Sequence, residues 1–333
     1  MERRSASNPR GALCAASVFA HGATSHVSRS LRRGSTLALV AFATIGCAVQ
    51  EQKATATSDS ASRRAERVAA AALATRGSTV PFRVPEESEI RDTTVLAAVR
   101  RGRAILANTR DSLPAHVGNK LRCVSCHMGD GLKANQMPLI GVYARFPQYR
   151  PRSATVEIIE DRINDCFERS MNGKALPRDG RPMRDIVAYL AFLSYGIPVG
   201  AQVEGQGIPR LDPVPADTVR GRELFTATCT ICHGADGQGT NAAPPLWGKH
   251  SYNIGAGMAR VRTAAAFIHQ AMPFDKPGTL TPQQAFDVAA YINSRPRPDF
   301  ADKAEDWPNG DPPPDVAYPT KAAGAKGKAR SPR

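Results

Sequence analysis

A chain of 333 residues is long enough for about two domains. Its formal charge of +14 sits mostly at the ends: residues 1–47 carry six Arg against one Glu, residues 321–333 carry three Lys and two Arg with no acid, and the rest holds only +4. A mildly basic middle gives no ground for nucleic-acid binding, which needs a concentrated Lys/Arg face.

In chain order, Arg29, Arg32 and Arg33 precede an apolar run from Leu37 to Gly46. This is the pattern of a secretory signal, too short to span a bilayer. Gly46-Cys47 closes the run, and a Ser/Thr/Ala-rich stretch follows to about Ser78, as in a bacterial lipoprotein, although Thr44 stands where Leu is commonest. Two outcomes stay open at Cys47: acylation, which would tether the mature chain to a membrane, or simple cleavage. We read 1–47 as leader and 48–85 as a flexible polar linker.

Two pentads follow in one register, Cys123-Val124-Ser125-Cys126-His127 and Cys229-Thr230-Ile231-Cys232-His233. C-x-x-C-H attaches c-type haem because its two thiols reach the porphyrin's two vinyl groups while the next histidine falls under the iron. A zinc site or a redox C-x-x-C would lack the adjoining His, and two copies leave those readings little room. Two covalently bound haem c groups are therefore expected. Such attachment takes place outside the bacterial cytoplasm, so export to the periplasm is expected too.

The repeat reaches further. At the pentads' own offset of 106, Asp130-Gly131 maps to Asp236-Gly237 and Pro138 to Pro244. Each pentad is preceded by a helical signature, Arg101-Gly102-Arg103-Ala104-Ile105-Leu106 in one half and Arg220-Gly221-Arg222-Glu223-Leu224-Phe225 in the other. From that Gly to the first Cys the chain spends 21 residues in one half and 8 in the other, so an insertion lies near Asn108–Lys120. Later, Ile186, Leu190 and Leu193 recur at i, i+4, i+7. Thr281-Pro282-Gln283-Gln284 reads as an N-cap, a first-turn proline and a capping-box Gln. The fold class is all-α: two cytochrome c-like domains in tandem, at 86–197 and 217–300. A Pro/Gly-rich linker (198–216) joins them, and 301–333 is expected to be a mobile tail.

Counting 39 residues from each histidine reaches a sulphur, Cys166 in the first half and Met272 in the second. Met272 is the expected sixth ligand of its iron, with Met258 as the alternative, and His269 reads as a surface or packing histidine. A thioether raises a haem's potential and suits electron transfer. Of seven cysteines, four belong to the pentads and Cys14 and Cys47 to the leader, so Cys166 has no disulfide partner in the body. Register favours it as ligand over Met171 or Met183, and Arg162 and Arg169 would favour its thiolate. Arg152, Arg162 and Arg169 could face a small anion through guanidinium forks, or pair with local acids such as Glu157, Asp165 and Glu168. A redox sulphur beside guanidinium groups points to an anionic sulphur substrate.

The stretch Ile163-Asn164-Asp165-Cys166-Phe167-Glu168-Arg169-Ser170-Met171-Asn172-Gly173, with Asn119 and Leu121 ahead of the first pentad, resembles the tetrathionate-forming thiosulfate dehydrogenases, dihaem c-type cytochromes, over roughly residues 90–300. The resemblance implies that His127 and Cys166 ligate a catalytic haem, and His233 and Met272 an electron-exit haem. It also implies that Arg152, Arg162 and Ser170 line the site, that thiosulfate and tetrathionate are the reactants, and that a soluble acceptor such as a small cytochrome c takes the electrons. Some relatives carry a lysine before the distal methionine that exchanges with it. Ala271 stands here, so that exchange has no donor. A plain dihaem carrier and a dihaem peroxidase are the rival readings, and the preferred direction of reaction stays open.

Overall fold

The computed structural model describes residues 77–320. Cys47, the leader, most of the 48–85 segment and the last 13 residues lie outside that range.

Three helices build the first module: α1 (Thr93–Ala107), α2 (Ile159–Asp165) and α3 (Arg181–Phe192). Asp92 starts α1 by accepting from the amides of Thr94 at 2.7 Å and Val95 at 3.2 Å, satisfying donors that a helix start otherwise leaves orphaned. On α3 the i, i+4 pair Ile186 and Leu190 is buried as its spacing predicted, with Met183 and Tyr189 on the same face. Each such side chain contributes about 1.5–3 kcal/mol by leaving water.

The second module repeats the plan with α4 (Thr218–Leu224), α5 (Val261–Ala271) and α6 (Pro282–Asn293). Thr281 caps α6 as expected, its hydroxyl accepting from Gln284 N while Gln284 Oε1 accepts from Thr281 N at 2.8 Å.

In both modules the first and last helices cross at the glycine of Arg-Gly-Arg. A Cβ on Gly102 would lie 2.0 Å from the Asp185 carbonyl oxygen, and one on Gly221 2.0 Å from that of Asp287. Beside each crossing an arginine forks onto the same aspartate: Arg101 on Asp185 at 2.9 and 2.7 Å, Arg220 on Asp287 at 2.8 and 3.0 Å. Only glycine admits this approach, and the ion pair fixes its register.

The described chain is helical apart from four strands of two or three residues, β1 (Thr79–Val80), β2 (Gln148–Arg150), β3 (Thr155–Glu157) and β4 (Gln202–Val203). β1 pairs in parallel with β4, and β2 antiparallel with β3. The first ladder ties the inter-module segment down, and Ala201 and Val203 are buried there.

The reading of 301–333 as a mobile tail needs correction for residues 301–320. Trp307 is only 4% exposed, and its amide donates to the Arg152 carbonyl at 2.7 Å. Asp306 accepts a fork from Arg169 at 2.7 and 2.8 Å and also bonds the Tyr318 hydroxyl. Proline-rich composition concealed two aromatic anchors and one buried acid. The segment straps the first module.

Candidate active site

The first pentad is held from the insertion that separates it from α1. Thr109 is fully buried; its hydroxyl donates to the Leu106 carbonyl and accepts from the Cys123 amide, both at 3.0 Å. In the second module α4 instead runs on through a π turn, Phe225–Cys229, straight into the pentad.

Each pentad histidine is oriented by a carbonyl. His127 Nδ1 lies 2.7 Å from the Met137 oxygen and His233 Nδ1 2.8 Å from the Pro244 oxygen. A carbonyl only accepts, so Nδ1 carries a proton and Nε2 is the ring nitrogen left to face a metal. The loops that bring these carbonyls round turn at Gly131 and Gly237, with φ of 80° and 65°. A Cβ at these positions would meet Leu139 at 2.6 Å and Trp247 at 2.2 Å, which explains why Asp-Gly recurs.

Beside His127 opens a mainly apolar cavity of about 150 Å³ that is partly open to solvent. Cys123, Cys126 and His127 line it together with Arg162, Cys166 and Ser170, among mainly apolar side chains. Two thiols, a histidine whose Nε2 is uncommitted and an open cavity walled mainly by apolar side chains match the chemistry a covalently held porphyrin needs. A bare zinc site does not fit: among the described residues, no three His, Cys, Asp or Glu converge as one.

Cys166 sits where α2 passes into a π turn, Cys166–Ser170. Its carbonyl accepts from Met171 N at 2.8 Å, one residue beyond the α-helical partner, and Asn119 Nδ2 donates to the Ser170 carbonyl at 2.8 Å. Such π insertions re-aim side chains and recur at functional sites. Arg162, one turn earlier on the same face, places Nη1 3.1 Å from the Cys166 sulphur. Burial pushes this thiol up, but the Arg162 charge and His127 outweigh it and bring the thiol down to about 7. Burial alone dominates at Cys123 and Cys126, which as thiols are pushed up to about 12. The cavity therefore favours one thiolate, at Cys166.

The three candidate arginines part company. Arg162 is on the cavity. Arg169 turns away, bonding Asp165 at 3.2 Å as well as Asp306. Arg152 is absent from the cavity lining: it donates to the Gly255 carbonyl at 2.6 Å, and its guanidinium lies 4.6 Å from the centre of the Trp307 ring. Burial, with Arg169 nearby, lowers its pKa to about 10. Arg152 thus braces the Gly255–Gly257 turn, and Gly257 itself lines the cavity. Met183 is a core side chain away from the cavity lining, whereas Met171 belongs to the same core cluster and also lines the cavity.

In the second module His233 is buried, which pushes its pKa down, partly offset by the Pro244 carbonyl. Met272 ends α5 and packs against the cluster built on Phe225, Trp247 and Ala264, which Cys229 also touches. Ala271 is buried with Met128 and Phe267. His269 is taken up structurally, its Nδ1 2.7 Å from the Leu280 carbonyl.

Sequence reasoning missed three contributions. Asn119 joins the modules by donating to both Ser170 O and Ser251 O, at 2.8 and 3.0 Å. The Asp306–Trp307 strap braces Arg169 and Arg152. Gly257, Met258 and Thr263, from the second module, line the first module's cavity.

Two cytochrome c modules, each with a C-x-x-C-H loop and a metal-ready histidine, define a dihaem c-type cytochrome with two covalently bound haem c groups. A domain described as SoxA/TsdA cytochrome c matches residues 115–199, and a cytochrome c domain matches 218–296. The thiosulfate dehydrogenase of Psychrobacter arcticus is 44% identical over 71% of this chain and 74% of its own length. That of Allochromatium vinosum is 44% identical over 68% of this chain and 88% of its own. The solved thiosulfate dehydrogenase TsdBA of Marichromatium purpuratum superposes with a TM-score of 0.61 at 36% identity, covering 69% of this chain and 51% of that longer one. The chain belongs to the thiosulfate dehydrogenase family.

Proposed function

We propose that this oxidoreductase converts two thiosulfate ions to tetrathionate at the first module and passes the two electrons through the second to an external acceptor. One observation carries the reading: the Cys166 sulphur, 3.1 Å from a guanidinium, lines one cavity with the haem-attachment residues. A plain carrier has no use for a thiolate there, and a peroxidase needs the sixth position open.

His127 and Cys166 would hold the first iron, and His233 and Met272 the second. Bound haem supplies one-electron acceptance, with thiolate ligation lowering and thioether ligation raising the potential. The chain's own residues do the rest. Arg162 offsets the dianion's charge and directs its outer sulphur toward Cys166, and Ser170 adds a hydroxyl. The thiolate and one thiosulfate lose two electrons and form a sulphur–sulphur bond. The second thiosulfate then attacks the thiosulfate-derived sulphur of that bond, forming tetrathionate and returning the Cys166 thiolate. Arg152 acts from behind the wall, by holding the Gly255–Gly257 turn. A soluble acceptor such as a small cytochrome c receives the electrons. We place the reaction in the periplasm, from the leader's pattern and the site of haem attachment, with Cys47 as a potential lipid tether.

Resting-state EPR combined with assays in both directions, using ferricyanide and a reduced viologen, tests the reading. The expected result is thiolate-ligated low-spin ferric haem together with thiosulfate-dependent ferricyanide reduction. Two thioether- or imidazole-ligated haems without turnover would leave a carrier, and high-spin iron a peroxidase.

A further inference from the structure

Met258 is the only side chain, among the described residues, that packs against all three apolar clusters of the molecule. The first cluster contains Leu106, Leu121 and Phe167 of the first module, and the second contains Phe225 and Trp247 of the second. The third, around Met128 and Phe267, joins residues of both modules. Met258 belongs by sequence to the second module, in the stretch between its pentad and Met272. It nevertheless lines the first module's cavity alongside Cys166. Cys229 of the second pentad and Met272 pack against that same second cluster.

The backbone here is pinned, so the side chain's direction is not incidental. Asn293 Nδ2 donates to the Met258 carbonyl at 3.1 Å, and Asn293 Oδ1 accepts from the Tyr252 hydroxyl at 3.1 Å. Ala256 and Ala259 are buried on either side. Gly257, the residue before it, also lines the first cavity, and a Cβ there would meet nothing within 4 Å. A long, unbranched, polarisable side chain suits a gap of irregular shape.

We propose that Met258 is the junction between the two haem sites, filling the space that separates them and carrying the electronic coupling through its packed atoms. With haem bound at both sites, each would accept and release one electron at a time, and Met258 itself would be neither oxidised nor reduced. The two electrons released per tetrathionate cross in two such events and leave to the external acceptor. A void at this position would remove contact atoms on both sides, and electron exchange across a void is slower than through packed matter. The proposal rests on the two-haem reading of the site but not on the identity of the substrate.

The test therefore avoids thiosulfate. In the oxidised holoprotein, flash photoreduction with a soluble flavin dye injects one electron, and the two haem spectra report its equilibration between sites. Met258→Ala, which removes packed contact atoms, is expected to slow that equilibration, with both haems attached and both EPR ligand signatures intact. Met258→Leu, close in volume, is expected to keep most of the natural chain's rate. Unchanged equilibration in the alanine variant would overturn the proposal, as would a leucine variant as slow as the alanine one. Loss of the methionine charge-transfer band in either variant would make Met258 a ligand and overturn it equally. Failure to oxidise thiosulfate, with coupling altered as expected, would refute only the substrate assignment.

Discussion

Arg162 Nη1 and Cys166 Sγ stand 3.1 Å apart at the junction of α2 with a π turn, one helical turn separating the two residues. The contact makes Cys166 the acidic thiol of the cavity, and it sets out a cation beside the sulphur that would meet an anionic substrate.

Replacing Cys166 with Gly is expected to abolish turnover while both haems remain covalently attached. Pyridine haemochrome quantitation and steady-state rates check this together. Near-normal turnover would remove Cys166 from the chemistry.

Arg162→Ala removes a charge-assisted hydrogen bond, a contribution of about 1.5–3 kcal/mol, so the KM for thiosulfate should rise about tenfold or more. The dependence of kcat/KM on ionic strength should flatten, because salt then has one pocket charge fewer to screen. Arg162→Lys should recover part of both effects. An unaltered salt profile in the alanine variant argues against a substrate-facing role.

Asp306→Ala leaves the Arg169 guanidinium largely buried without its fork. Breaking a buried pair in this way costs about 3 kcal/mol, the low end of the usual range because Asp165 remains as a partner. Urea unfolding of the holoprotein should show the loss. A midpoint unchanged from the natural chain would mean that the 301–320 strap contributes nothing to stability.

Gly221→Ala forces a Cβ to within 2.0 Å of the Asp287 carbonyl unless α4 and α6 separate. Overpacking at so close a crossing should destabilise the second module by about 3 kcal/mol, visible as a lowered thermal midpoint. Gly257→Ala is the control, because a Cβ there meets nothing within 4 Å.

Asp287 also sets an acid limit. Burial pushes its carboxyl up, but the Arg220 fork, the Asp217 amide and Gln283 together hold it below the ordinary aspartate range. A depressed folded pKa means that its stabilisation is fully present above the unfolded value of about 3.9, and is lost as pH falls through the lower folded value. Asp287→Asn should therefore flatten the fall in stability below about pH 4, measured by urea midpoints across acid pH.

What sequence alone determined is what short-range covalent geometry dictates. The two pentads, the sulphur 39 residues beyond each histidine, the repeated Arg-Gly-Arg helical stretches and the Thr281 cap are local patterns, and each is readable because its partners lie within one or two helical turns or repeat in register. Arg162 and Cys166 belong to the same class, four residues apart on one face. Tertiary structure decided the rest. Nothing near Arg169 in sequence announces Asp306, and nothing near Arg152 announces Gly255 or Trp307, so three arginines that look alike along the chain take three different jobs. Composition made residues 301–320 look unstructured, because a strap needs only a few anchors and its stability comes from the surface it lies on. Met258 became a shared wall for the same physical reason: packing joins atoms by distance through space, and distance along the chain does not reveal it.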